Sequence, residues 1–423
     1  MPHMVVCVVP VLFITIFAAV IPASIILPML PFIGQKYGAT SFQISLLFTL
    51  MPMLIIVFAP LWGRLSDRFG RKPVFMASLA ASSCTFVVFG LSDSLNEMFI
   101  ARALQGVTGG NVSIAFAMVA DSTSHENRAK NLGYATGATA MAFFIGPMFG
   151  GLLMGQDLES FTHAMPSFLA AGLSALATLI GVIFLKETRA ARKKISPVDS
   201  KDPESIALAG ATPSAETEAY VPPSAPIGRI GLALIIVQFL IGGYVGGSDQ
   251  FVFAFWAQGL HNWGPNDVSF GMGAMGLGYM VATIGLVGPL TKHFGDVGAY
   301  LIGSVTNVIG TSILLLGSTV WISVAGLWIA VIGIGVWNTV LSSVLSKVSP
   351  EDKVGFMLGI SNGVSMAGRV GGPLIAGSFF LDIDVRLPFM VTLGLVAIVV
   401  VNAARLIWVA RRANLSARNA HSG

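Results

Sequence analysis

The 423-residue chain is short of charge: only 10% of its residues are Asp, Glu, Lys or Arg, where a soluble domain carries roughly 25%. With 54% hydrophobic residues and a mean hydropathy of +0.80, most of its surface must face lipid rather than water. Cysteine is scarce too. Cys7 and Cys84 both lie inside apolar runs, so neither a disulfide framework nor a metal site is implied. The six histidines (His3, His125, His163, His261, His293, His421) are scattered without metal-ligand spacing. No Walker-type phosphate loop is present. An enzyme, a resident metal and a nucleotide-driven motor are therefore not expected, and no cofactor is called for. The excess of four positive charges has no soluble basic domain to carry it, so nucleic acid is not an expected partner.

What the chain has instead is long apolar runs. A helix needs about 20 such residues to cross the hydrocarbon. That rule predicts twelve spans: Met4–Ile33, Phe42–Trp62, Val74–Leu91, Leu95–Ala120, Leu132–Met154, Ala164–Leu185, Ile230–Trp256, Val268–Leu290, Val297–Gly317, Val320–Ser346, Val354–Leu381 and Leu387–Ala410. The first is too long for a signal-peptide core and reads as a spanning helix. Of the 24 lysines and arginines, with the N-terminus placed inside, only Lys36 and Arg386 fall in outside loops, and Arg102, Arg369 and Arg405 fall within spans. All the others collect in the inside loops, which predicts a multi-pass protein of the cell (inner) membrane with both termini cytoplasmic.

Residues 187–226 break the pattern. They open basic and turn rich in Pro, Ser, Ala and acids, a composition that buries no core and predicts a cytoplasmic linker. The expected organisation is a six-helix bundle at 1–186, the linker at 187–226, a second six-helix bundle at 227–412 and a tail at 413–423. The halves echo each other. Gly63, Leu65, Phe69 and Gly70 recur 225 residues later as Gly288, Leu290, Phe294 and Gly295. Leu132, Gly133, Gly137, Gly146, Pro147 and Gly151 recur 226 later as Leu358, Gly359, Gly363, Gly372, Pro373 and Gly377. Two ordered sets at nearly one offset indicate a duplicated unit, and such repeats place a substrate site at their interface near mid-membrane.

The stretch Gly63–Lys72, "GRLSDRFGRK", has five charged residues in ten, between two uncharged spans. It resembles the G-x-L-x-D-R-x-G-R-K signature of the major facilitator superfamily, between the second and third helices. Arg102, Gln105, Gly106, Gly109 and Gly110 match the fourth-helix pattern R-x-x-Q-G-x-x-G. Gly146-Pro147-Met-Phe-Gly150-Gly151 is similar to the fifth-helix motif of antiporters, and Leu27-Pro28-Met-Leu-Pro31 and Phe184-Leu-Lys-Glu187-Thr188 resemble elements of drug-efflux members. The resemblance covers the chain apart from the linker. It implies an all-α membrane protein of twelve transmembrane helices in two pseudo-symmetric bundles, working as a monomer by alternating access. Its expected partners are a small-molecule substrate, protons and the lipid bilayer, with the proton gradient as energy source. The branch it most resembles is the drug:proton antiporters. An importer or facilitator of a metabolite, sugar, siderophore or metal complex is the alternative, and two cavity arginines against one Asp would favour it for an anionic substrate. The first helix has Ile21, Pro22, Ala23 and Ser24 where some relatives place an acid.

For the gating motif (Gly63, Asp67, Arg68, Gly70, Arg71, Asp121) the resemblance implies that Asp67 meets the start of the eleventh helix, near Val354 to Met357, and that Arg71 pairs with Asp121. Both contacts are expected to tie the halves together while the inner side is closed. Lys292 stands where the first copy has Asp67, so the second copy should latch differently. Within the spans, each charge costs about 2.5–3.5 kcal/mol and should face a partner or a water-filled cavity. Arg102, Asp249 and Arg369 are the candidates, with Gln105, Asn111, Gln250 and Asn338 as further substrate- or proton-binding groups. The bland readings are a tie from Arg102 to Glu97 or Asp93, a structural Asp249–Arg369 pair, and helix joining by the neutral residues (Gln238 and Asn362 included). Phe251, Phe253 and Met141 are expected to line a pocket for irregular apolar ligands.

Overall fold

The computed structural model describes residues 8–123, 128–188, 229–349 and 354–403. The expected linker beyond Thr188, the tail at 413–423 and Arg405 lie outside these residues. Among them, nine helical stretches are long and apolar enough to cross a membrane. One of the nine, Pro265–Leu316, runs for 52 residues, enough for two crossings. It divides at Gly295, whose φ of 70° and ψ of 171° no helix accommodates. The eleventh and twelfth spans follow as Val354–Ile375, continued by a π-helical turn at Ala376–Phe380, and Leu387–Ala403.

Local sequence sets the ends. The first span, Val8–Ile26, passes through a tight turn at Leu27–Met29 into Leu30–Lys36. Pro28 and Pro31 each open the segment that follows, where a missing N–H costs nothing. The second, Ser41–Phe69, starts on a capping box: the Thr40 hydroxyl accepts from the Gln43 N–H while Gln43 Oε1 accepts from the Thr40 N–H. It stops at Gly70, where φ is 107°, a value that favours glycine. The third is Arg71–Gly90. The fourth differs from the expected unbroken span. It runs as Leu95–Thr108 and Asn111–Asp121, interrupted at Gly109-Gly110, where a side chain would collide with Ile55 and Trp62 of the second helix.

The remaining spans are Arg128–Met154, Ala164–Phe184, Arg229–His261 and Val320–Val348, the fifth, sixth, seventh and tenth in order. Within the first half the first helix packs on the fifth and sixth, the second on the fourth and the third on the sixth. The second half repeats this with the seventh on the eleventh and the eighth on the tenth. Between halves, the fifth meets the eighth and the second meets the eleventh.

Those two inter-half seams are tight at one face of the molecule. A side chain at Gly151 would sit 2.7 Å from Ser269 Cβ, and one at Gly377 would sit 2.6 Å from Ser45 Cβ. The two glycines are partners in the sequence repeat, so the duplication gives one seat on each side of the pseudo-dyad. Ser41 also donates to Asp382, and Gln35 and Gln258 exchange side-chain amide hydrogen bonds, both across the halves. Phe48 and Phe251 close the middle of this face with ring centroids 5.5 Å apart. At the opposite face, which carries the 63–72 turn, Gly63, Gly133, Gly288, Gly359 and Gly363 have none of the described residues within 4 Å of where a side chain would begin. Among the described residues, hydrogen bonds join the halves at the face opposite the basic one.

Candidate functional site

A cavity of about 270 Å³ lies between the halves. The seventh helix contributes Gly246, Asp249 and Gln250, the tenth Ile334 and Asn338, the ninth Asn307, and the eleventh Arg369. The eighth gives Met272, Met275 and Tyr279, and the fifth gives Thr136, Thr139, Ala140 and Phe143. Both charges and all four amide- or phenol-bearing side chains come from the second half; the first supplies two hydroxyls and an apolar wall.

Glycines position the two charges. The seventh and eleventh helices approach so closely that side chains at Gly243 and Gly247 would strike the backbone of Ser365 and Arg369. This contact fixes Arg369 beside the bare Gly246, with its Nη2 3.7 Å from where a Cβ would stand. Asp249 is nearly buried, and its Oδ1 accepts from Thr392 Oγ1 of the twelfth helix at 3.0 Å. Among the described residues the ion pairs are Arg71 with Asp67 and with Asp121, and Lys347 with Asp296. The structural Asp249–Arg369 pair left open by the sequence is not formed.

Four expected binding residues, Asp249, Gln250, Asn338 and Arg369, thus share one cavity. Arg102, Gln105 and Asn111 do not line it. Arg102 is 1% exposed and donates to the carbonyls of Leu47 at 3.0 Å and Phe48 at 3.2 Å, to Met51 Sδ and to Gln105 Oε1. Expected as a binding residue, it instead ties the fourth helix to the second, as in the bland reading, but through backbone oxygens and not Glu97 or Asp93, because the carbonyls lie inside the bundle and the acids at its edge. Asn111 is buried beside the Gly109-Gly110 break, its Oδ1 facing the Val112 N–H. Gln238 accepts from the Tyr300 hydroxyl in the second-half core, while Asn362 is exposed. Phe251 and Phe253 are wholly buried in the apolar core, and Met141 sits in a separate groove with Phe13, Tyr134 and Ile284. These three are corrections: the pocket expected around them forms elsewhere, about Met272, Met275 and Phe143. Tyr279, Asn307, Thr136 and Thr139 were missed, for one hydroxyl or amide in an apolar span does not reveal which face it occupies.

At the basic face Arg71 is 8% exposed and holds Asp67 at 2.8 Å, Asp121 at 3.0 Å and Ser66 Oγ at 2.7 Å. The Arg71–Asp121 pair is as expected. It lies within one half, so it is not a tie between the halves. Glu187, at the exit of the sixth helix, accepts from the Arg71 N–H at 3.0 Å and the Lys72 N–H at 3.1 Å. That carboxylate caps the third helix at its positive end. Asp67 itself is 61% exposed; its expected seat includes side chains 354–356, outside the described residues. Arg68 lies over the Phe69 ring at 5.5 Å. Of the fifth-helix motif, Gly146 and Gly150 seat the first helix at Ser24 and Ile25, Pro147 lies inside the helix, and Gly151 seats the eighth.

Two six-helix bundles of membrane-spanning length with a cavity between them fit a membrane transporter. The family model of the Major Facilitator Superfamily matches residues 12–264 and 234–422, and the chain belongs to that family. It is a transport protein, not an enzyme. It is 24% identical to the tetracycline resistance protein, class C, of Escherichia coli over 84% of this chain and 85% of that one. To multidrug resistance protein 1 of Bacillus subtilis (strain 168) it is 25% identical, over 88% and 90%. Its fold matches, with a TM-score of 0.69 and 14% identity over 97% of both chains, a bacterial homologue of the human lysosomal transporter Spinster solved inward-facing and unoccupied.

Proposed function

We propose that this transporter is a proton-coupled exporter of small amphipathic compounds, working as a monomer in the cell membrane with both termini cytoplasmic. The basic loops then make the face carrying the 63–72 turn cytoplasmic, and the described state is the one that loads substrate from the cell interior. The single observation that carries the reading is Asp249: a carboxylate in the wall of an otherwise amphipathic cavity between the halves. It is also the one acid, among the described residues, that lies deep within a span. The names of the relatives, tetracycline and multidrug resistance proteins, support export, since a transporter protects a cell by removing a compound.

In the cycle we propose, Asp249 enters the inward-open state carrying a proton taken from outside. It releases the proton to the cytoplasmic opening and becomes the partner of the substrate. Closure at the basic face, with Asp67 docking at the eleventh helix, and parting of the Gly151–Ser269 and Gly377–Ser45 seats then turn the cavity outward. A proton returning to Asp249 displaces the substrate there. Proton and substrate exclude each other at one carboxylate, and antiport follows from this exclusion.

The test is transport of tetracycline by purified protein in lipid vesicles, with a pH gradient imposed in either direction. Passive trapping in protein-free vesicles is subtracted. Accumulation should follow the acidic compartment and reverse when the gradient is reversed. Accumulation in the alkaline compartment, or none in either direction, contradicts proton-coupled export.

A further inference from the structure

The cavity holds one acid and one base that do not neutralise each other. We infer that its substrate class is the zwitterionic amphipath: an ammonium group received by Asp249, an acidic oxygen received by Arg369, and an apolar body between them. The inference rests on the cavity being the transport site, and it goes further by assigning a charge pattern and a receiving residue at each end.

The geometry keeps the two charges apart by construction. Arg369 is held by its own backbone against Gly247, and its guanidinium passes over the side-chain-free Gly246. Asp249 follows only three residues later on the same helix, yet its Oδ1 is turned aside to Thr392 at 3.0 Å. Neither enters an ion pair among the described residues. Two opposite charges in a low-dielectric cavity attract strongly unless something complements each of them. Water complements them while the cavity is open, and a substrate must do so once it closes, because an uncompensated charge sealed inside is costly.

A singly charged substrate fails this requirement. A cation on Asp249 leaves Arg369 unbalanced. An anion on Arg369 leaves Asp249 free to keep its proton, so anion and proton would travel together instead of in exchange. A zwitterion satisfies both ends, competes with the proton at Asp249, and crosses without adding net charge. Met272, Met275 and Phe143 give the body an adaptable apolar wall.

Three dansyl probes with one fluorophore separate the cases: dansylcadaverine, a cation; dansylglycine, an anion; and Nα-dansyl-lysine (dansyl-lysine below), a zwitterion whose ε-ammonium and carboxylate are parted by its methylene chain. Their binding to the detergent-purified transporter is read from dansyl emission, at a pH where the amines are protonated and the carboxylates ionised. Dansyl-lysine should bind about tenfold more tightly than either of the others. Arg369→Gln should abolish the zwitterion preference: dansyl-lysine then binds no more tightly than dansylcadaverine, which itself gains because no unbalanced Arg369 faces it. Asp249→Asn should lower dansyl-lysine to the level of dansylglycine. Arg369→Lys should retain most of the zwitterion preference, which also controls for misfolding of the Gln variant. Equal or tighter binding of a singly charged probe overturns the inference, as does an unchanged ranking in both charge-removing variants. Because no gradient is applied, these outcomes stand apart from failure of proton-driven export. Binding of none of the three probes overturns the cavity itself as an amphipathic site.

Discussion

The two copies of the charged turn invite direct comparison. In both, a glycine with positive φ ends one helix and starts the next: Gly70 at 107° and Gly295 at 70°. In both, the residue after the glycine is ion-paired to the end of a neighbouring helix, Arg71 to Asp121 and Asp296 to Lys347. The sign of the pair is reversed. So is its setting: Arg71 and Asp121 have side chains 10% and 11% exposed, whereas Lys347 and Asp296 are 52% and 23% exposed. The first copy also carries the Glu187 cap and the Asp67 branch, while a side chain at Gly295 would meet nothing among the described residues. Duplication preserved the backbone turn and the existence of a charge tie. Among the described residues, the first copy alone forms a buried network.

Breaking the first network should therefore cost most. Arg71→Ala strands the nearly buried Asp121 carboxylate and should destabilise the protein by about 3 kcal/mol, read as a lowered unfolding temperature in detergent. Less is at stake at the cap. Glu187→Ala removes two charge-assisted bonds to helix N–H groups from an exposed carboxylate, an expected loss of about 1 kcal/mol by the same measurement. For the second copy, Lys347→Ala should change stability by about 0.5 kcal/mol or less, since the pair is largely solvated. If Lys347→Ala matched Arg71→Ala, the contrast between the copies would be wrong. Asp67→Asn sharpens the comparison differently. Its exposed bond to Arg71 is worth a few tenths of a kcal/mol at most, so unfolding should hardly move. Turnover should fall, and engineered cysteines at the basic face should label faster, because the charge proposed to dock in the closed state is gone. Unchanged labelling with unchanged turnover would remove Asp67 from the gate.

Much of this was legible in the sequence because its signals are additive. Twelve apolar runs, the sided lysines and arginines and two repeat offsets each draw on many residues. Boundaries set by single glycines were less so. Gly109-Gly110 breaks the fourth helix against Ile55 and Trp62, partners some fifty residues away. The site was legible only in its charges. Asp249 and Arg369 stand out in uncharged spans, but nothing local separates them from Arg102, whose partners are backbone carbonyls of another helix. The Asp296–Lys347 tie was hidden for a related reason: the repeat was read from residues that match, and this pair conserves a contact while exchanging the signs.

The account turns on Asp249 as the group where proton and substrate exclude each other. The direct measurement compares two modes in vesicles holding the Asp249→Asn protein: exchange of labelled for unlabelled substrate down its own gradient, and accumulation driven by an imposed pH gradient. Exchange should continue only at raised substrate concentration, with KM about tenfold higher because Asn stands in for the protonated carboxyl, while pH-driven accumulation should fall to the level of protein-free vesicles at every concentration. Full pH-driven accumulation by Asp249→Asn would contradict the account and assign the proton to another route.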